Sequence, residues 1–452
     1  MNSITPIQTN GHKCMPHRSA RLIGIAIPIL AACTLSPVMA AGDDGHKLEL
    51  KVRGIHFDRD FDNPANDRTQ SGLGLQFNYE SPYLNDMIGV GLSGYSVTEL
   101  GSSGRVTNDV LMVDGAGGFE DSFGKIAQAF VKIKYKGLMQ AKFGRQLHKS
   151  MLLSSSTSRA IPNTYSGASG QLTPIKDLTL YGAIYDQWSS RTSTGFEGFR
   201  TDRSTTGSIK TISLLGSEYK NGASQFKAEY LRSQDFLSKF GLVGSYSMSL
   251  ANKSKLKLTS GLHTSNLSGR LAVTGAESAE LDDEDLAGAV PGVTPSGKNG
   301  TGIYAQADWK AGNLSLGGAL SKFNGTWIED NFAGDHGTNV FPTGGVLADF
   351  SNRDELVWML SSSYDWKDYV KGLTTKISLK RGTGAKNSAN PALGSASERE
   401  FALDVGYKMP LVKGLSMRYL FLDYNSNKTG RLDGVKEDVK DHRVYLDYTY
   451  RF

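Results

Sequence analysis

The chain has 452 residues, 39% of them hydrophobic, with 52 glycines, only 13 prolines and a formal charge of +5. Both cysteines, Cys14 and Cys33, fall within residues 1–40, which excludes a disulfide scaffold or a thiolate metal site in the remainder. No run in the body of the chain approaches the ~20 apolar residues of a membrane helix.

The one strongly apolar run is Leu22–Ala32. It follows Lys13, Arg18 and Arg21 and leads to Pro37–Val38–Met39–Ala40. A charged start, a short apolar stretch and a small-residue cleavage site read as a secretory signal over residues 1–40. Met15–Ala40 is a complete signal by itself, so Met1 and Met15 are both candidate starts. A lipoprotein box at Leu30–Ala31–Ala32–Cys33 is the rival, and the later peptidase site is the better one. Removing these residues takes away Lys13, Arg18 and Arg21 and no acid. The basic balance is therefore no argument for nucleic acid.

Strand patterns begin almost at once. Leu48, Leu50 and Val52 alternate with Glu49, Lys51 and Arg53, leaving no room for a plug domain before them. Leu73, Leu75, Phe77 and Tyr79 form the next apolar row, and Ile88, Val90 and Leu92 follow. Ala127, Ala129, Val131, Ile133 and Tyr135 alternate with Gln128, Phe130, Lys132 and Lys134. Lys136–Gly137–Leu138 then turns the chain into Met139, Ala141 and Phe143. The same tight turn recurs at Lys176–Asp177–Leu178, Lys371–Gly372–Leu373 and Lys413–Gly414–Leu415. Long polar loops lie between, at 97–123, 145–172, 190–207, 265–300, 322–351 and 382–398.

Later rows are Leu356, Trp358, Leu360 and Tyr364, then Phe401, Leu403, Val405 and Tyr407. One strand breaks the rule: Leu420 and Leu422 share a face with Ser416 and Arg418. The final stretch puts Val444, Leu446, Tyr448, Tyr450 and Phe452 on one face and Arg443, Tyr445, Asp447, Thr449 and Arg451 on the other. An aromatic-rich apolar face backed by charge suits a strand between lipid and water. An ordinary half-buried edge strand is the soluble alternative.

Short turns at one end and long loops at the other are the asymmetry of an outer-membrane barrel, and a soluble domain would not tolerate so many structureless loops. The expected fold is all-β: a transmembrane antiparallel β-barrel of about 18 strands, at roughly 45 residues per hairpin. It forms one domain over residues 41–452, with short periplasmic turns and long extracellular loops. Such a barrel is wide enough for a water-filled lumen.

Enzyme chemistry finds little support. His263 and Ser265 share a face, but no third group completes them. Metal-binding spacings and phosphate loops are absent, and the acidic run Glu280–Asp285 lacks the Gly and terminal Glu of a calcium loop. No cofactor is expected. The inward cations are more informative. Lys51, Arg53, Lys376, Lys380, Arg381, Arg418 and Arg443 should gather on one wall, because the first and last strands of a closed barrel are neighbours. A column of cations along a wet channel attracts anionic solutes.

The chain resembles the OprD family of outer-membrane carboxylate channels. Val52–Arg53–Gly54–Ile55–His56–Phe57–Asp58–Arg59–Asp60–Phe61 is similar to the family's opening strand. Phe143–Gly144–Arg145–Gln146 and Ser155–Ser156–Thr157–Ser158–Arg159–Ala160–Ile161–Pro162 resemble its third loop. Trp327–Ile328–Glu329–Asp330–Asn331–Phe332, with Asp335–His336–Gly337 and Phe341–Pro342–Thr343, is similar to a later loop of the branch that takes small aromatic acids. The resemblance implies a passive porin in a Gram-negative outer membrane that passes small carboxylate-bearing solutes, aromatic acids such as benzoate favoured. Basic amino acids, small peptides and unselective diffusion are the alternatives.

The resemblance also implies a third loop, near 145–172, that narrows the pore with Ser155, Ser156, Ser158 and Tyr165. Arg53, Arg59 and Arg159 are the matching ladder residues, with Arg159 at the narrowest point. Lys376, Lys380, Arg381, Arg418 and Arg443 join them by inward phase as much as by resemblance. Thr157 stands where the family writes Asp. Expected partners are the solutes, outer-membrane lipids and the barrel-assembly machinery acting through the Phe452 strand. The expected state is a monomer or weak homotrimer.

Overall fold

Period-two alternation gives each strand two unlike faces, and this chain satisfies both by closing one sheet on itself. The computed structural model describes residues 45–201, 208–271, 299–325, 327–335, 339–387, 391–427 and 437–452. Residues 1–40, with the signal read there, and the acidic run 280–285 lie outside the described residues.

The first strands are β1 (Lys47–Phe61), β2 (Arg68–Glu80), β3 (Ile88–Gly104), β4 (Ser122–Tyr135), β5 (Met139–Gln146), β6 (Thr164–Ile175) and β7 (Leu178–Ser189). Two short pieces follow, β8 (Glu197–Arg200) and β9 (Ser208–Ile209). Then come β10 (Ile212–Asn221), β11 (Ser224–Ser233), β12 (Leu237–Ser249), β13 (Lys255–Leu267), β14 (Asn299–Ala311) and β15 (Leu314–Asn324). The last are β16 (Leu356–Asp365), β17 (Leu373–Lys386), β18 (Ser395–Lys408), β19 (Leu415–Ser426) and β20 (Val439–Arg451). Neighbours pair antiparallel, β7 pairs β10 directly, and β1 pairs β20 from Glu49↔Arg451 to Phe61↔Val439. The result is a closed barrel of eighteen strands, with β8 and β9 a small flap beside β7.

The recurring turns are tight for a physical reason. Lys136 (φ 46°) and Gly137 (φ 70°) both take the left-handed region, as a two-residue hairpin turn requires. Gly414 has φ 88°, and a Cβ there would run into the Thr449 carbonyl oxygen of the neighbouring strand.

The outward rows are exposed: Leu360 at 60%, Ile303 at 52% and Leu215 at 69%, where lipid would cover them. The inner face holds cores of its own, because loops fold into the barrel. Leu152, Leu153, Trp188, Trp327, Phe332 and Phe341 belong to one buried cluster. Ile55, Phe57, Val97, Leu111, Ile161 and Tyr445 belong to a second. This explains the strand that broke the rule. Leu420 and Leu422 point inward and are buried with Ala402 against Leu347 of the loop after β15.

Three readings are corrected. A register shift opposite Ser93 and Gly94 bulges β4 at Ala127, so Ala127 is buried inside while Val131 faces out. The third loop spans 147–163 between β5 and β6, shorter than 145–172, because the strands run further into it. Tyr165 therefore sits on β6, fully buried, 5.2 Å from the Tyr185 ring. It packs the barrel mouth and does not line the constriction.

Candidate functional site

The seam of the barrel, where β1 meets β20 and β20 meets β19, carries the densest charge. Arg53 points inward from β1 and pairs with Asp447 of β20, 2.5 Å from Nε and 3.2 Å from Nη2. Arg418 points inward from β19 and holds Asp404 with Nε at 2.9 Å and Nη2 at 2.8 Å. The Arg53 and Arg418 guanidiniums each lie 5.6 Å from the centre of the Tyr445 ring. Toward the long loops, Phe57 takes the same part. The guanidiniums of Arg443, Arg159 and Arg59 stand 4.5, 4.8 and 5.4 Å from its centre. A ring face is a favourable seat for a desolvated cation.

The carboxylates of this cluster are shared. Asp441 binds Arg443 at 2.8 Å and Arg59 at 2.7 Å. Asp109, from the loop after β3, meets Arg68 at 2.6 Å, Arg59 at 2.9 Å and Arg159 at 3.7 Å. Burial alone would raise the Asp109 carboxyl, but Arg59, Arg68 and Arg159 together outweigh it and hold it at about 2.

The loop 147–163 is fastened at several points. Ser155 closes its neck, its main-chain N–H donating to the His148 carbonyl at 2.8 Å. Glu229 of β11, fully buried, accepts from Ser150 Oγ at 2.8 Å and from the main-chain N–H of Met151 at 3.0 Å and Leu152 at 2.8 Å. Arg53 Nη1 donates to the carbonyls of Thr157 at 2.6 Å and Arg159 at 3.1 Å. Arg191, in the loop after β7, donates to the hydroxyls of Ser158 at 3.1 Å and Ser156 at 3.4 Å. Arg159 Nη1 reaches the same Ser158 hydroxyl at 3.3 Å.

Two guanidiniums thus converge on two hydroxyls. Burial, and then the nearby cations Arg191, Arg59 and Arg443, pull Arg159 well below its ordinary value. Burial also brings Arg191 down to about 10. Burial is the leading cause at both residues; neighbouring cations add to it at Arg159, whereas Asp109 and Asp335 oppose it at Arg191. Among the described residues Arg53, Arg59, Arg68, Arg159, Arg191, Arg418 and Arg443 outnumber Asp109, Asp404, Asp441 and Asp447 in this network.

The residues read from the sequence divide accordingly. Arg53, Arg59, Arg159, Arg418 and Arg443 come together, as do Ser156 and Ser158. Within that group Arg159 is only 12% exposed, whereas Arg53 is 23% and Arg418 is 47% exposed. Arg159 braces the loop, and Arg53 and Arg418 present themselves to the lumen. Lys380 is also inward but buried, paired with Glu400 at 3.0 Å. Glu400 in turn accepts from the main-chain N–H of Val346 and Leu347, so Lys380 underpins a loop rather than lining the path. Arg381 faces the opposite way, outward with Ile377 and Leu379, since neighbours on a strand point to opposite faces. His263, weighed as a catalytic group, stacks on Tyr304 at 5.9 Å inside the aromatic core.

Lys376 lines a separate cavity of about 360 Å³ near the short turns, with Lys255, Lys257, Lys310 and Asp308. A larger cavity of about 900 Å³ lies against the third loop, lined by Lys142, Gln146, Lys149, Ser150, Glu218 and Lys227 among others. Arg191, Asp109, Glu229 and the rings of Phe57 and Tyr445 escaped the sequence reading. Arg191 and Asp109 sit in loops without periodicity. Phe57 and Tyr445 had one legible signal, an aromatic at inward phase beside inward arginines.

A closed eighteen-strand barrel, lipid-facing apolar rows and a polar lumen narrowed by an inward loop define a transmembrane porin. The family model for the outer membrane porin, OprD family, matches residues 43–452. The chain belongs to the OprD family. That membership places it in the outer membrane of a Gram-negative bacterium and makes it a channel rather than an enzyme. The porin-like protein GalP of Pseudomonas putida is 25% identical over 205 residues, 43% of this chain and 49% of that protein. The chain thus spans about half the length of that curated relative. Among solved structures, OccK9 (OpdG) of Pseudomonas aeruginosa superposes with a TM-score of 0.76 at 22% identity, covering 90% of this chain and 99% of that one. OpdK of Pseudomonas aeruginosa with vanillate gives 0.75 at 19% identity, with 90% and 99% covered. Both show the fold.

Proposed function

We propose that the protein is a passive diffusion channel for small carboxylates, with aromatic acids preferred. The observation that carries this is the cation excess around Tyr445 and Phe57, presented to the lumen by Arg53 and Arg418. A guanidinium binds a carboxylate through two parallel hydrogen bonds. Asp447 and Asp404 occupy those faces, so a passing carboxylate exchanges with them and is held weakly. Weak holding is what conduction needs. Lys376, Lys255 and Lys257 continue the basic path toward the short-turn end. The aromatic preference draws support from the fold shared with OpdK, whose structure holds vanillate.

The test is single-channel recording of the purified protein in a planar bilayer with benzoate, arginine or a neutral sugar. Concentration-dependent interruption of the current by benzoate but not by sugar supports the reading. Interruption by arginine instead makes it a channel for basic amino acids. Indifference to all three makes it a general porin.

A further inference from the structure

Arg381 of β17 lies directly opposite Arg399 of β18, and both point out of the barrel. The face is fixed by their neighbours. Ile377 and Leu379 share the side of Arg381 and are 47% and 40% exposed, while Ser378 and Lys380 alternate with them and are buried. Phe401 and Leu403 share the side of Arg399. Like charges set directly opposite each other weaken a strand pair. The barrel supplies little to offset this. Arg399 bonds the Asn425 side-chain oxygen, from Nε at 3.2 Å and Nη2 at 2.6 Å. Arg381 has no hydrogen-bond or ion-pair partner among the described residues, and its other cross-strand neighbour is Trp358.

The contrast with Lys440 sharpens the point. Lys440 also faces out, but it stands opposite Asp60 on one side and Asp423 on the other. Asp423 stands opposite Phe401, diagonal to Arg399, and it already accepts from Asn425 Nδ2 at 3.1 Å. The arginine pair lies toward the long-loop end of its strands, beyond the lipid-facing row of Leu360, Leu379 and Phe401. In an outer-membrane porin that end meets the headgroups of the outer leaflet.

We propose that Arg381 and Arg399 form a binding site for a phosphate of an anionic, multiply acylated glycolipid of the outer leaflet. Two planar guanidiniums abreast match phosphate oxygens bidentately. Trp358 sits at interfacial depth beside them. Leu360, Leu379 and Ile377 offer the apolar surface on which the acyl chains lie. The lipid phosphate relieves the repulsion that the sheet leaves standing, in the manner of basic pockets that hold anionic headgroups.

The experiment is native mass spectrometry of the intact, folded barrel in mild detergent. It is titrated separately with diphosphorylated lipid A, its dephosphorylated counterpart and inorganic phosphate. The expected result is a lipid adduct on the wild type that weakens at least about tenfold in the Arg381→Gln/Arg399→Gln double variant. Arg232→Gln, an outward cation on β11, should keep the adduct. Arg399→Asp should fold at least as well as the wild type in lipid-free detergent, since it converts a repulsive pair into an ion pair, yet lose the adduct. Undiminished binding by the folded variants overturns the site. Equal binding of the dephosphorylated lipid shows that acyl chains alone hold it, and saturation by inorganic phosphate shows a free-anion site; either result also overturns the proposal.

Discussion

Arg53 Nε meets the Asp447 carboxylate at 2.5 Å across the seam that closes the barrel, while Nη1 of the same guanidinium grips the Thr157 carbonyl at 2.6 Å. One planar group therefore joins the first strand, the last strand and the inward loop. Arg53→Ala removes the clamp and a lumenal cation together. The contribution is about 1–2 kcal/mol once the partial exposure of the pair is discounted, which corresponds to roughly 5–30-fold in the population of a displaced loop. Single-channel traces should show larger, noisier currents and weaker anion preference. Arg53→Lys should keep more of the preference but not the quiet trace, because an ammonium cannot span both partners. A wild-type trace and reversal potential in Arg53→Ala would remove Arg53 from the pathway.

Glu229 anchors the other side of the same loop. Its buried carboxylate accepts from Ser150, Met151 and Leu152, and also from Tyr181 Oη at 2.7 Å. Glu229→Gln keeps the shape but replaces one of two accepting oxygens with an amide nitrogen that can only donate. A loss of about 1–3 kcal/mol is expected. Thermal unfolding in detergent should shift downward, and proteolysis should cut within 147–163 sooner. Equal cleavage rates in variant and wild type would show that the loop is held elsewhere.

The barrel was legible because lipid outside and water inside impose one period on every strand, and the last strand shows it without a break. What lay beyond that period did not show. Leu420 and Leu422 looked out of phase because they bury against a loop distant in sequence. Lys380 points inward, but inward means lumen only where no loop lies above it. Arg381, its neighbour, had to point the other way by the same alternation. Arg191 and Asp109 complete the charge network from loops whose paths no local pattern encodes. Thus the strands were readable, and the loops that complete the charge network were not.

The turn glycines offer a test of the sheet itself. Gly414 combines φ 88° with the Thr449 carbonyl where a Cβ would stand, whereas Gly137 combines φ 70° with open space. Gly414→Ala should cost about 1–3 kcal/mol, since both backbone strain and a clash must be relieved. Gly137→Ala should cost only about 1 kcal/mol, from the left-handed backbone alone. Unfolding midpoints in urea, read by the altered gel migration of the unfolded barrel, should rank wild type, Gly137→Ala and Gly414→Ala in that order. Equal midpoints for the two variants would mean that β19 and β20 yield at the turn without cost.

The loop 327–335 is expected to make the channel depend on pH. Burial pushes the Asp335 carboxyl up to about 6 against the opposing charge of Lys239. Burial, reinforced by Asp349, pushes Glu329 up to about 8. Both folded values lie above those of the unfolded chain, so the folded loop holds protons that the unfolded loop releases. Stability is then greatest below pH ~4 and declines as pH rises through 6 toward 8, by an amount on the order of a few kcal/mol. Trp327 and Phe332 of this loop belong to the aromatic core inside the mouth, so loosening it should widen the passage. Conductance fluctuations should grow from pH 5 to pH 8, and amide exchange over 327–335 should quicken beyond its intrinsic base dependence. Asp335→Asn should flatten the lower half of that profile, because the amide carries no charge and can still accept from Asn331 Nδ2, now 2.8 Å from Oδ2. A variant that keeps the full slope between pH 5 and pH 7 would show that Asp335 is not the titrating group.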